Sequence, residues 1–221
     1  MHHRGFSWQS GVLQAAASAG SEAAAELGAL PQWRLDDLYE GMDSQRFSGD
    51  LKRAGADAKR FAADYQGKLA QIANAADAGD RLYEAVRAYE ALQDLMGRIM
   101  SYASLLYAGD TSDAARAKFY GDAQEKVTEL AGDLLFFELE LNRLDDALLE
   151  QAMQGSQLAH YRPWLEDIRK ERPHQLADEI EQLFLEKSVS GAAAWNRLFD
   201  ETVASLRFTY EGQELTLEPV L

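Results

Sequence analysis

The residues able to do chemistry are few, and their spacing serves none of the common reactions. The 221-residue chain has four histidines, His2, His3, His160 and His174. Zinc-dependent peptide hydrolysis uses H-E-x-x-H on a helix, where the imidazoles share a face and the Glu activates a metal-bound water. No histidine here is followed by Glu. Glu171-Arg172-Pro173-His174 spells the E-x-x-H of carboxylate-bridged di-iron bundles, but Pro173 breaks the helical spacing and no second copy exists. His160, beside Tyr161 and Trp164, reads as a helix-surface or packing residue, and His2 and His3 as parts of a mobile terminus.

Other chemistries are equally bare. Cysteine is absent, which excludes disulfides, thiolate metal sites and a cysteine nucleophile. There is no G-x-S-x-G elbow, and neither G-x-G-x-x-G nor G-x-x-x-x-G-K-[ST] occurs to cradle a phosphate. The carboxylate pairs Asp145/Asp146 and Glu138/Glu140 have the right type for acid–base work, yet with no evident pocket they read as solvated helix faces. The chain is therefore assigned no catalytic, cofactor-binding or metal-ligand residue. Its formal charge of −15 repels phosphate backbones and anionic lipid, so neither nucleic acid nor membrane is expected as a partner. No apolar run reaches the ~18 residues that a membrane span requires. The lack of cysteine fits a cytoplasmic setting.

The elements that would position any site are helices. From Asp80 to Tyr107, Leu82, Val86, Tyr89, Leu92 or Gln93, Met96, Ile99 or Met100, Ala103 and Leu106 recur at steps of three and four, with Leu95, Tyr102 and Leu105 widening the face. Such a helix is about 42 Å long and serves neighbours on two sides. Before it, Ser44 caps a heptad-like helix through Phe47, Leu51, Ala54, Ala58, Phe61, Tyr65, Leu69 and Ile72. After Gly109, Asp110 to Asp113 supplies caps for a third long helix through Ala115, Phe119, Ala123, Val127, Leu130, Leu134, Phe137 and Leu141. Short connections make the three run up, down and up, with Phe61, Leu92, Met96, Leu130 and Leu134 in the core.

Shorter helices are expected at 145–153, 157–170, 175–187 and 191–206, punctuated by Gly155, Pro173 and Gly191, with Pro163 either in a first turn or kinking its helix. Arg207 to Tyr210 and Glu214 to Leu217 alternate around Glu211-Gly212, a hairpin signal. The fold class is all-α: an antiparallel long-helix bundle, then shorter helices and a small C-terminal β-hairpin. Leu30 to Gly41, with Trp33, Leu35, Leu38 and Tyr39, reads as an extended stretch and turn that docks on the bundle. Residues 1–29, rich in Ala, Ser and Gly, read as a poorly ordered leader rather than a signal peptide, leaving 30–221 as the helical domain.

Three stretches carry a family resemblance. Leu30 to Ala54 (LPQWRLDDLYEGMDSQRFSGDLKRA) resembles the start of bacterial oligoendopeptidase F, a zinc metallopeptidase of the thimet oligopeptidase family. Leu165 to Phe208, through RKERP at Arg169 to Pro173, Leu176 to Glu179 and WNRLFDET at Trp195 to Thr202, is similar to the later part of that enzyme's amino-terminal region. The closing YEGQELTLEP resembles the hairpin that follows there. The resemblance implies an amino-terminal, channel-forming domain of a peptidase that cleaves short peptides. Its zinc site would lie in a catalytic domain this chain lacks, so this chain alone is expected to be inactive and zinc-free. The implied partners are that catalytic domain of the same polypeptide and oligopeptide substrates. Phe208, Tyr210, Leu215 and Leu217 form an apolar hairpin face, and Pro219-Val220-Leu221 stops where an element should begin; a truncated end and self-association through that face are expected. The alternative is a free-standing helical interaction module, which a fully polar surface would favour.

Overall fold

The structure, a computed structural model, describes residues 33–217; the expected leader and Pro219-Val220-Leu221 lie outside them. The helices are α1 (Gln45–Tyr65), α2 (Leu69–Ala73), α3 (Ala78–Ala108), α4 (Ala114–Arg143), α5 (Asp146–Met153), α6 (Arg162–Lys170), α7 (Asp178–Ser190) and α8 (Ala192–Ser205). Two 3-10 turns, Gln157–Tyr161 and Arg172–His174, flank α6, and strands β1 (Phe208–Tyr210) and β2 (Gln213–Leu215) follow. The all-α expectation with a terminal hairpin holds. The chain forms two compact units, Leu35–Leu198 and one that includes residues from Phe199 onward.

Local chemistry starts the long helices where expected. The Ser44 side chain accepts from Phe47 N–H at the head of α1, and Asp113 accepts from Ala115 and Arg116 N–H at the head of α4. Asp145 does the same for α5 through Ala147 and Leu148. Each satisfies donors that a helix start otherwise leaves open. Pro163 sits in the first turn of α6, where its missing N–H costs nothing.

Ring contacts give the directions of the three long helices. Phe47 near the start of α1 meets Tyr102 near the end of α3, while Phe61 near the end of α1 meets Tyr89 near the start of α3. Tyr102 meets Phe119 and Tyr89 meets Phe137, so α4 again runs against α3. The order is up, down, up. One aromatic cluster (Tyr39, Phe47, Tyr102, Phe119) closes one end, and Phe61, Tyr89, Phe136 and Phe137 fill the other. Between them Phe61, Leu92, Met96, Leu130 and Leu134 are all buried, as the periodicity predicts. Each such side chain contributes about 1.5–3 kcal/mol through removal from water.

The docked turn before α1 is real as well. Leu35 and Leu38 pack against the core and Tyr39 is buried. The Tyr39 hydroxyl donates to Asp50 Oδ2 at 2.9 Å, and Asp50, only 7% exposed, is also bridged by Arg53 at 2.8 Å. Burial and the Asp50 carboxylate together push the Tyr39 phenol up to about 12.

Several expected boundaries move. The first helix does not run through Leu69 and Ile72: it ends at Tyr65, Gly67 takes φ +73°, and α2 starts afresh. A positive φ disfavours any side chain larger than hydrogen, so the heptad spacing persists through a broken helix. Residues 157–170 are not one helix, because 3-10 geometry holds to Tyr161. Gln175 and Ala177 are extended, which moves the start of α7 to Asp178 and its end to Ser190. In the second unit β2 starts at Gln213 and ends at Leu215, directly opposite Phe208; Leu217 lies beyond the strand. Glu211 and Gly212, both at positive φ, make the two-residue turn that matches strand twist.

Candidate functional site

The carboxylates that sequence spacing assigns to solvated faces also have structural partners; Asp145 and Asp146 are exposed as expected, while Glu138 and Glu140 are half-buried. Glu138 accepts from the Tyr89 hydroxyl at 2.8 Å, and Glu140 accepts from the N–H groups of Gly67 at 2.6 Å and Leu69 at 3.4 Å. Asp145 caps α5, and Asp146 pairs with two arginines.

The arginines belong to the RKERP stretch, and their role is a helix cap. Arg169 Nη2 donates to the Leu141 and Leu144 carbonyls at 3.3 and 3.1 Å, and Arg172 Nη2 reaches the Leu144 carbonyl at 3.1 Å. Those carbonyls stand at the C-terminal end of α4, where the helix dipole is negative and Leu141 also accepts the Leu144 N–H at 3.2 Å. Asp146 Oδ1 holds both guanidiniums, at 2.5 Å from Arg169 and 3.0 Å from Arg172. Gln175 Nε2 donates to the Leu139 carbonyl at 3.2 Å, one turn earlier. The motif thus fastens α6 and the segment after it to the end of α4.

That fastening aims α7 along α4. Arg143, in the last turn of α4, forms a two-pronged bridge to Asp178, the first residue of α7, and holds its carboxyl below the usual range. Further on, Gln182 lies so close to α4 that a side chain at Gly132 would meet its amide at 2.8 Å. Arg197 of α8 donates to Gln124 of α4 at 3.1 Å. One side of α7 is therefore occupied.

The other side is bare. No residue of α7 or α8 is buried. Ile180, Leu183 and Phe184 share one helix face, and Phe184 is 63% exposed. On α8, Trp195 and Leu198 repeat the pattern, Trp195 at 70% exposure. The second unit has its own exposed apolar residues in Phe199, Leu206 and Tyr210. Large side chains clustered this way mark interaction surfaces far more often than isolated exposed residues do. Sequence periodicity registers these residues as helical but says nothing about their exposure. The signal available was the apolar character of α7 on two opposite sides, at Leu185 and Val189 as well as at Ile180, Leu183 and Phe184.

The histidines are dispersed. His160 is exposed on a 3-10 turn, edge-on to Tyr161 at 5.2 Å between ring centroids. Glu171 and His174 are joined by a backbone hydrogen bond in the next 3-10 turn, so they do not share an α-helical face. His2 and His3 lie outside the described residues. Among the described residues no group of three or more His, Asp or Glu is placed to hold a metal. No helix of the described residues is long and apolar enough to cross a membrane.

Comparison with known proteins agrees with the resemblance read from the sequence. The family described as Oligopeptidase F matches residues 140–208, a span that includes the arginine cap, α7 and α8. Oligopeptidase PepF of Bacillus subtilis (strain 168) is 27% identical over 164 residues, covering 74% of this chain and 23% of that protein. Oligoendopeptidase-F from Enterococcus faecium has the same fold over 78% of this chain and 34% of its own, with a TM-score of 0.64 and 20% identity. The chain spans about a quarter of the length of its Bacillus relative. It is similar to the amino-terminal region of oligoendopeptidase F.

Proposed function

We propose that residues 30–221, after a leader at 1–29, act as the amino-terminal helical domain of an oligoendopeptidase F-like zinc peptidase of the cytoplasm. In this reading the helices form one wall of a channel that admits short peptides to a zinc site on another part of the polypeptide. The observation that carries it is the coincidence of the family match with α7, which keeps one side on α4 and leaves Ile180, Leu183 and Phe184 exposed on the other. A wall domain needs such a second side to seat against the rest of its enzyme. By itself the chain is expected to retain no zinc after dialysis and to turn over no oligopeptide.

The test is immunocapture from the source cells with an antibody raised against this chain. A captured species that cleaves a quenched fluorescent oligopeptide, and stops when a chelator is added, supports the proposal. A captured species with the 24.6 kDa mass of this chain alone and no such activity overturns it and leaves a helical interaction module.

A further inference from the structure

We infer that the cavity between the last turn of α4 and the segment leading to α7 is a binding site for a primary carboxamide, the side-chain group of Gln or Asn, presented by a peptide. The cavity, of about 360 Å³, is lined by Asn142 and Arg143 of α4 and by Arg172, Gln175 and Leu176. Three of these residues carry atoms that are shielded from solvent and have no hydrogen-bond partner among the described residues: Asn142 Oδ1, Gln175 Oε1 and Arg172 Nε. Asn142 is itself only 5% exposed. Asp50, the other buried polar residue among those described, has both Tyr39 and Arg53. Buried polar atoms are ordinarily paired, because an unpaired one gives up its hydration for nothing. The far ends of two of these side chains are already held. Gln175 Nε2 is on the Leu139 carbonyl, and the Arg172 guanidinium is on the Leu144 carbonyl and Asp146. Turning either one to satisfy its idle atom breaks a bond it has. The last torsion of Asn142 is softer, and a half-turn about it exchanges oxygen and nitrogen. A guest reaches the three atoms through side-chain movements of this size, which commonly accompany binding.

The idle atoms select the guest. Two acceptors and one N–H donor are the complement of a primary carboxamide, which has two N–H bonds and one carbonyl oxygen. A carboxylate brings no hydrogen to the two amide oxygens. It also finds no free positive charge, because Arg143 is bridged to Asp178 and Arg172 to Asp146 at 3.0 Å. An ammonium offers nothing to Arg172 Nε–H and stands beside two guanidiniums. A main-chain peptide unit has a single N–H and leaves one oxygen unpaired. Water carries the right atoms, but one water takes only about 30 Å³. The rest of the cavity, with apolar Leu176 in its wall, suits the methylene stem that carries a carboxamide. The inference does not depend on the peptidase reading.

The experiment titrates the isotope-labelled full chain with three blocked amino acids that share a main chain and differ in side chain. They are the N-acetyl N-methylamides of glutamine, glutamate and methionine. NMR follows the Gln175 carboxamide and Arg172 Nε–H signals. The glutamine compound is expected to shift both and to bind about tenfold more tightly than the other two, which lack its pair of N–H donors. Asn142→Leu is expected to lower that affinity about tenfold, with circular dichroism checking that the variant is folded. Equal binding of the three compounds overturns the proposal. So does the absence of any response, which would mean that water alone serves these atoms, and so does full affinity in folded Asn142→Leu. Where that variant does not fold, the three compounds on the unaltered chain decide alone. Failure alongside a chelator-sensitive captured peptidase removes the carboxamide site and leaves the wall-domain reading standing.

Discussion

Glu140 Oε1 accepts the N–H of Gly67 at 2.6 Å, although the two residues are 73 positions apart. Its other oxygen takes the N–H of Leu69, so one carboxylate from α4 serves the break between α1 and α2. Glu140→Ala leaves both donors without that acceptor and is expected to cost about 1–2 kcal/mol. Gly67→Ala is expected to cost about 1–2 kcal/mol by forcing a β-carbon into the left-handed region. Urea unfolding measures both, and an unchanged midpoint for Glu140→Ala would show that the contact contributes nothing.

Arg169→Lys keeps the positive charge at the end of α4 but loses the fork that serves two carbonyls and Asp146 at once. The expected cost is about 1 kcal/mol, because the Leu141 and Leu144 carbonyls lose one donor each while Leu144 N–H and Arg172 still serve them. Thermal unfolding of the variant within experimental error of the parent would reduce the cap to a surface ion pair.

Leu92→Asp places a carboxylate in the core between the two aromatic clusters, at a side chain that is 4% exposed. An uncompensated charge there is expected to cost about 3 kcal/mol or more. Unfolding near the parent temperature would remove α3 from its central role.

Leu183→Ser and Phe184→Ser should behave in the opposite way. Both positions are exposed, so stability is expected to stay within about 0.5 kcal/mol. Binding of the dye ANS, which reports exposed apolar surface, should fall. A large loss of stability in either variant would show that the face is already packed in solution.

The Arg143–Asp178 bridge sets a weak acid-side dependence. Hydrogen bonds from Arg143 lower the Asp178 pKa in the folded chain. Its contribution is therefore full above the ordinary carboxylate value, about 3.9, and disappears as pH falls through the lower folded value. Both side chains are about half exposed, so the effect is of order 0.5 kcal/mol or less after screening. Hydrogen exchange at the start of α7 should quicken in Asp178→Asn at neutral pH, whereas the parent and variant should converge only as pH falls through the lowered folded value of Asp178. No difference at neutral pH would leave the bridge without a role in holding α7.

What could be read in advance was whatever depends on near neighbours. Ser44, Asp113 and Asp145 cap helices through residues two or three positions away, and the faces of α3 and α4 follow from spacing alone. The break at Gly67 hid because its acceptor comes from Glu140, while the heptad spacing carried on across it. Asp146 is solvent-facing as read, but the partners of Glu138, Glu140 and Asp146, namely Tyr89, Gly67 and Arg169, are far away in the chain and so were not legible. Gln175 left the expected helix because its amide is engaged with Leu139. RKERP could be recognised as a family feature, but its use as a cap required the position of Leu144. For α7 the sequence carried a signal, apolar residues on two opposite sides, but spacing does not say which of the two is covered.

Single-sided seating of α7 gives it an energetic rank of its own. A helix with no buried residue can detach without opening the α1–α3–α4 core, so its amides are expected to exchange through local openings well before global unfolding. Proteases should then nick 178–190 first in the isolated chain. A surface that covers Ile180, Leu183 and Phe184 would transfer to α7 part of the core's protection. The exchange rate of this one helix thereby becomes a gauge of assembly, slow where the outer layer is present and fast where it is missing.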